Sequence, residues 1–166
     1  GIDYTVVGMT KFVDRAEIKD LLAYLKFLSN PRNTLAFCRL CSAPKRGIGQ
    51  VTLQRILSTT GVDVLDAALQ VCSGGKLLYT IRHLVKVLRD LMNDLSTLSV
   101  SGVVLKLLHE FQYYESLPKE RAENVREWVK SLSSVQSVGE YLEALNFQHV
   151  GADVQSSVYL LTIHAA

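Results

Sequence analysis

Apolar residues recur at helical spacing along most of this chain. The strongest repeat runs from Lys76 to Leu95, where Leu77, Ile81, Leu84, Leu88, Leu91 and Leu95 form one stripe flanked by Arg82, Lys86 and Arg89. Apolar side chains every three or four positions share one face of a helix, so this stretch predicts an amphipathic helix. Asp14 to Ser29 repeats in the same way through Ile18, Leu21, Leu22, Leu25 and Leu28. Asp14 is placed to cap that helix, with Glu17 three residues on to complete a capping box, and Asn30-Pro31 to end it. Asn33 predicts the cap of a second helix reaching about Ser42, closed by Pro44. Short helices are predicted over 51–57 and 64–71, and longer ones over 102–114, 118–132 and 138–145, with Pro118 at a first helical position. Two short runs differ: Tyr4-Thr5-Val6-Val7, stopped by Gly8, and Val158-Tyr159-Leu160-Leu161-Thr162 read as strands. The expected fold is mainly α, a multi-helix domain with one short strand at each end.

Length and composition narrow the classes. With 166 residues, 48% hydrophobic and 20% charged, the chain suits one globular domain with a real core. No apolar run reaches the roughly 18 residues that span a bilayer. Gly1-Ile2-Asp3-Tyr4 lacks the basic start and apolar centre of a signal peptide, so an intracellular location is expected, in cytoplasm or nucleoid, or in a nucleus or organelle. The missing initial Met and the stop inside an apolar run predict a piece of a longer protein. Net charge is +2, unevenly spread: residues 1–60 carry nine Lys/Arg against four Asp/Glu, giving +5, and residues 61–166 carry nine against twelve, giving −3. A basic first third is compatible with a polyanionic partner.

Most candidate chemistry resolves into packing. Cys38-Arg39-Leu40-Cys41 matches C-x-x-C, but no second ligand pair comes after it for zinc, and both sulfurs fit an apolar stripe with Leu35, Phe37 and Leu40. Cys72-Ser73-Gly74-Gly75-Lys76-Leu77 fails as a phosphate loop, because residue 70 is Gln rather than Gly and Leu77 has no hydroxyl for magnesium; it reads as the turn before the long helix. His83, His109, His149 and His164 show no ligand spacing. Glu120, Glu123 and Glu127 lie opposite Val125 and Trp128, as a solvated helix face would.

Ala43-Pro44-Lys45-Arg46-Gly47-Ile48-Gly49 is different. Glycine, a hydrophobe and glycine between two helices form the turn of a helix-hairpin-helix. Gly47 and Gly49 are expected to take positive φ and to permit close approach of a ligand, while Ile48 pins the turn to the core. The N–H groups of Gly49, Gln50 and Val51 would open the next helix, where unpaired donors and the helix dipole favour a phosphate. Lys45, Arg46 and Arg55 add positive charge, and Thr52 adds a hydroxyl. Nothing here needs a base edge, so such a site would hold a nucleic-acid backbone without reading sequence. A tight inter-helix turn with incidental surface cations is the plain alternative.

Three stretches together resemble the UvrD/PcrA/Rep family of DNA helicases. They are Gly1-Ile2-Asp3-Tyr4-Thr5-Val6-Val7-Gly8 continuing through Lys11-Phe12-Val13-Asp14 to Leu25, the Ala43–Gly49 turn, and Leu160-Leu161-Thr162-Ile163-His164-Ala165-Ala166, which looks like the start of helicase motif V. Met9 departs from the family's usual Gly and Val13 from its usual aromatic. The resemblance is specific over about 1–57 and 158–166. It implies a helical 2B subdomain, 14–155, inserted into a second motor domain whose remnants are 1–13 and 156–166. The end strands would then lie side by side in one sheet. It implies a 3′–5′ ATP-dependent DNA helicase or translocase as the whole protein, with ATP and Mg²⁺ bound outside this chain and no ATPase or cofactor within it. Duplex contacts fall on Lys45, Arg46, Gly47, Ile48, Gly49, Thr52 and Arg55, and contacts to the translocating single strand on Thr162 and His164. Expected partners are a single-strand/duplex DNA junction and the rest of the motor. A protein-interaction or autoinhibitory module is the main rival. A stand-alone helix-hairpin-helix repair domain is a weaker one, lacking the catalytic Lys/Asp pairing.

Overall fold

The structure, a computed structural model, describes residues 12–148. Eight α-helices account for most of them: α1 Ala16–Ser29, α2 Thr34–Ser42, α3 Gln50–Leu57, α4 Val64–Val71, α5 Gly75–Asp94, α6 Val100–Glu110, α7 Lys119–Ser131, and α8, which starts at residue 138 and is described to 148. Two 3₁₀ turns, Tyr113–Ser116 and Leu132–Ser134, flank α7. No strand occurs among the described residues. The predicted strands Tyr4–Val7 and Val158–Thr162, and their pairing, lie outside them.

α1 is the centre of the packing. It is buried on nearly every side, through Ile18, Leu21, Leu22, Tyr24, Leu25, Phe27 and Leu28, and it touches α2, α5 and α7. The twenty-residue α5 is about 30 Å long at 1.5 Å per residue. Its predicted stripe faces inward: Ile81, Leu84, Leu88 and Leu91 are buried, while Leu77 and Leu95 pack at the edge. α6 and α7 close the other side, where Trp128 donates to the Tyr141 hydroxyl at 3.0 Å and ties α7 to α8. Caps follow local chemistry where the residue suits: Asn33 Oδ1 accepts from the Ala36 N–H, Asp63 from Leu65 and Asp66, and Ser99 from Gly102.

The expected capping box at α1 does not form. The N-cap is Arg15, with no side-chain bond, and helix begins at Ala16 rather than Asp14. Glu17 turns away from its own helix end and is buried. Its Oε1 accepts from Asn124 Nδ2 at 2.8 Å, and Arg121 stands 3.9 Å from Oε2. A buried carboxylate needs donors wherever they lie, and α7 supplies better ones than the α1 terminus. Leu35 also departs from expectation. Helical spacing places it in the apolar stripe of α2, yet it is 84% exposed, while Phe37, Leu40 and Cys41 are buried. Pro118 sits at the N-cap of α7, one position ahead of its predicted place. The helix expected over 102–114 starts at Val100, where Ser99 caps it, and stops at Glu110. Beyond it Gln112 takes a left-handed conformation (φ 47°), which breaks the helix and leaves Tyr113–Ser116 as a separate turn.

Candidate nucleic-acid interface

The connection from α2 to α3 is built from three local features. α2 stops at Ser42 with Ala43 in extended conformation, and the Ala43–Pro44 peptide bond is cis. Gly47 then takes φ 75°, the left-handed region that favours glycine. Ile48 packs partly against the core, which fixes the turn to the body. Gly49 (φ −83°, ψ 169°) is the N-cap of α3. It therefore does not use the positive φ expected of it. Its use is different: a Cβ placed on Gly49 would meet no atom within 4 Å, so this backbone faces open space.

Glycine has no side chain to cap with, and α3 has no side-chain cap bond. The first intrahelical bond of the turn runs from the Leu53 N–H to the Gly49 carbonyl at 3.0 Å. The free donors at this helix start are thus those of Gly49, Gln50 and Val51, as the sequence predicts, with Thr52 a fourth. No acidic residue occupies this turn. The main packing of the flanking helices is with other elements: α2 lies on α1, and α3 on α4.

The cations separate into two kinds. Lys45 and Arg55 are exposed and form no ion pair among the described residues. Arg55 lies near the Cys72 thiol, whose pKa burial raises and the guanidinium pulls back. Thr52 is half-buried in the first turn of α3. Arg46 instead points into the protein. Its guanidinium donates to the Leu40 carbonyl at 2.5 Å, to the Pro44 carbonyl at 3.1 Å and to the Tyr24 hydroxyl at 2.6 Å. It also stacks 4.6 Å from the Phe111 ring centroid. Tyr24 is fully buried and donates onward to the Ala43 carbonyl at 2.5 Å. Burial holds its phenol well above the ordinary range, against the lowering pull of Arg46.

Sequence reasoning misses Lys76 as a site residue. An open cleft of about 460 Å³ has Lys45, Arg46 and Gly47 on one side and Lys76, Leu77 and Thr80 on the other. Lys76 is exposed and lies in the first turn of α5, which begins after Gly74 and is likewise uncapped by any side chain. Gly-Gly-Lys opening a helix is the available signal; failure as a phosphate loop hides it. Among the described residues no cluster of three or more His, Cys, Asp or Glu could hold a metal. Thr162 and His164 lie outside the described residues.

A mainly helical domain bearing an exposed, basic, uncapped turn is the class the geometry of the described residues defines. The family model for the UvrD-like helicase C-terminal domain matches residues 1–73. The ATP-dependent DNA helicase PcrA of Bacillus subtilis is 32% identical over 160 residues, covering 92% of this chain and 21% of that protein. PcrA of Staphylococcus epidermidis is 29% identical over 188 residues, covering 99% of this chain and 26% of that protein. For Staphylococcus aureus PcrA the identity is 26% over 186 residues, covering 98% of this chain and 26% of that protein. The chain belongs to the UvrD/PcrA family of helicases. It spans between 21% and 26% of the length of these relatives.

Proposed function

We propose that this chain is the 2B accessory region of an ATP-dependent 3′–5′ DNA helicase or translocase, and that the 45–49 turn grips duplex DNA by its phosphates. The observation that carries this reading is the uncapped start of α3 at an open Gly49, flanked by the exposed cations Lys45, Arg55 and Lys76. Free N–H groups and the positive end of the helix dipole suit a phosphate oxygen. Gly49 admits the backbone closely, and the lysines add charge without fixing a base. Ile48 contributes by anchoring the turn, as in a helix-hairpin-helix, although the two helices here pack mainly on other elements.

ATP and Mg²⁺ belong, in this reading, to motor elements outside this chain, and Thr162 and His164 to the single-strand path. No phosphate loop is offered by the 166 residues, so the purified chain should not hydrolyse ATP. The test is a fluorescence-anisotropy titration of a short labelled duplex over a range of salt. Two or three neutralised phosphates predict a log–log slope of about −2 to −3 and affinity on the order of 10⁻⁴ to 10⁻⁶ M at physiological salt. Sequence-independent binding that disappears in Gly49→Val supports the site, and equal binding by both proteins removes it. In that event the interaction-module reading comes forward. It has its own observation, a cleft of about 330 Å³ among α1, α2 and α8, rimmed by Lys19, Lys26 and Arg39 over Leu22 and Leu145.

A further inference from the structure

Arg46 has the sequence position of a phosphate ligand and the geometry of something else. We infer that Arg46 is a positioning residue for the duplex grip: it holds the Lys45–Gly49 turn in its binding shape from inside and makes no contact with DNA. This inference rests on the duplex-binding reading.

The guanidinium joins three parts of the chain that are far apart in sequence. It donates to carbonyls at both sides of the turn's entrance, Leu40 at the end of α2 and Pro44 within the turn. It donates to Tyr24 on α1, and it lies over Phe111 just beyond α6. Charge-assisted bonds to carbonyls are among the stronger hydrogen bonds, and the planar guanidinium satisfies several at once. Its face is covered by Phe111, with Tyr24 at 5.8 Å on another side. A phosphate ligand would need those donors free and aimed outward. Lys45, the neighbour, is exposed and unpaired among the described residues; the two adjacent cations have divided the work.

Arg46 also governs the backbone on its C-terminal side. Gly47 is conformationally free and Gly49 is open, so the turn has little intrinsic preference for one shape. Anchoring at Arg46 on one side and Ile48 on the other leaves the Gln50–Thr52 donors aimed outward in a fixed array. Preorganisation of this kind raises affinity by removing the ordering cost at binding.

The experiment is duplex titration against salt with Lys45→Ala, Arg46→Lys, Arg46→Met and Tyr24→Phe, beside amide NMR of the free proteins. A clamp predicts that Arg46→Lys and Arg46→Met both weaken binding about tenfold, the equivalent of one charge-assisted bond, with the salt slope unchanged. Lys keeps the charge but not the planar fork, so it should not rescue. Tyr24→Phe should weaken binding in the same way but less, from a site too buried to touch DNA. The amides of Gly47, Gly49 and Val51 should shift in Arg46→Lys without any DNA. Lys45→Ala should instead lower the slope by about 0.9, one phosphate's share. Wild-type binding by Arg46→Lys overturns the inference. A slope reduced by Arg46→Met overturns it too, because that is the signature of a phosphate contact. Unchanged turn amides in Arg46→Lys do the same. If Lys45→Ala and Gly49→Val both bind like wild type, the duplex-binding reading fails; the amide shifts in Arg46→Lys still report separately whether the turn is clamped.

Discussion

Two glycine turns in this protein open helices in the same manner, and only one of them is held. The first runs through Lys45–Gly49 into α3, the second through Ser73–Lys76 into α5. Each has a glycine N-cap without a side-chain cap bond and a glycine at positive φ, Gly47 at 75° and Gly75 at 65°. Each comes after a buried cysteine, Cys41 or Cys72, whose thiol pKa burial raises and a nearby arginine lowers. The difference is internal. Arg46 ties the first turn to α1, α2 and the end of α6, and Ile48 packs it on the core. Ser73, Gly74, Gly75 and Lys76 are all exposed to solvent. Free helix donors are common to both turns, so under the proposed reading donors alone would not make a grip. What distinguishes the first is that its donors are held in one arrangement.

The sharpest way to break this comparison is to put the same side chain on the two N-caps. A Cβ at either Gly49 or Gly74 would meet nothing within 4 Å, and both residues have ordinary negative φ. Neither Gly49→Val nor Gly74→Val should therefore unfold the protein, and thermal melts should differ little from wild type. Duplex affinity should fall at least about tenfold in Gly49→Val, since one lost charge-assisted phosphate bond already reaches that figure. It should change less than about twofold in Gly74→Val, where no bond is lost. Equal losses would mean that the second turn binds DNA on its own account, and the clamp would lose its explanatory role.

How legible each feature is in the sequence depends on how local its determinants are. The α5 stripe, the Asn33 cap and the helix over 64–71 depend on residues within one or two turns, and sequence periodicity displays them. Ile48 as an anchor is legible for the same reason. Glu17 defeats the capping-box pattern because its donor, Asn124, lies 107 residues away; the pattern is real, but a distant partner wins. Leu35 is exposed against expectation because helical spacing locates a face without saying where that face ends. Arg46 shows the limit most plainly. A basic residue before Gly-Ile-Gly reads as outward charge, and only Tyr24 and Phe111, 22 and 65 residues away, turn it inward.

A smaller effect tests the conformational half of the comparison. Gly47 and Gly75 both sit where an L side chain is strained even though space is open. Gly47→Ala and Gly75→Ala should each lower stability by about 1 kcal/mol, the cost of a left-handed non-glycine residue, measured as a shift in urea midpoint at constant m-value. The two should separate in binding: Gly47→Ala distorts the clamped turn and weakens duplex affinity beyond its stability effect, whereas Gly75→Ala leaves it near wild type. Lys76 then sharpens the contrast, because it belongs to the second turn by chain and to the first by the shared cleft. Lys76→Ala should reduce the salt slope by at most about 0.9, one phosphate's worth. No change in slope would confine the grip to the first turn.

A test of stability rather than of binding comes from the cysteine beneath the first turn. Burial pushes the Cys41 thiol from its ordinary 9.0 up to about 12, with Arg46 opposing. The folded protein therefore keeps this proton through a pH range in which the unfolded chain has released it. Between about pH 9 and 12 the folded state binds more protons, so stability must fall as pH rises, by roughly 1.4 kcal/mol per pH unit for one such group. Well below the unfolded value the contribution is complete and the slope vanishes. Urea unfolding at about one, two and three pH units along that window should show this decline in wild type and a shallower one in Cys41→Ala, which removes the titrating group while leaving Tyr24 and Arg46 in place. Because Arg46 holds the thiol down, Arg46→Met should raise the folded pKa further and make the decline extend to higher pH. An identical pH dependence in wild type and Cys41→Ala would show that this thiol is not buried against Arg46, and that the core beneath the clamped turn is open to water.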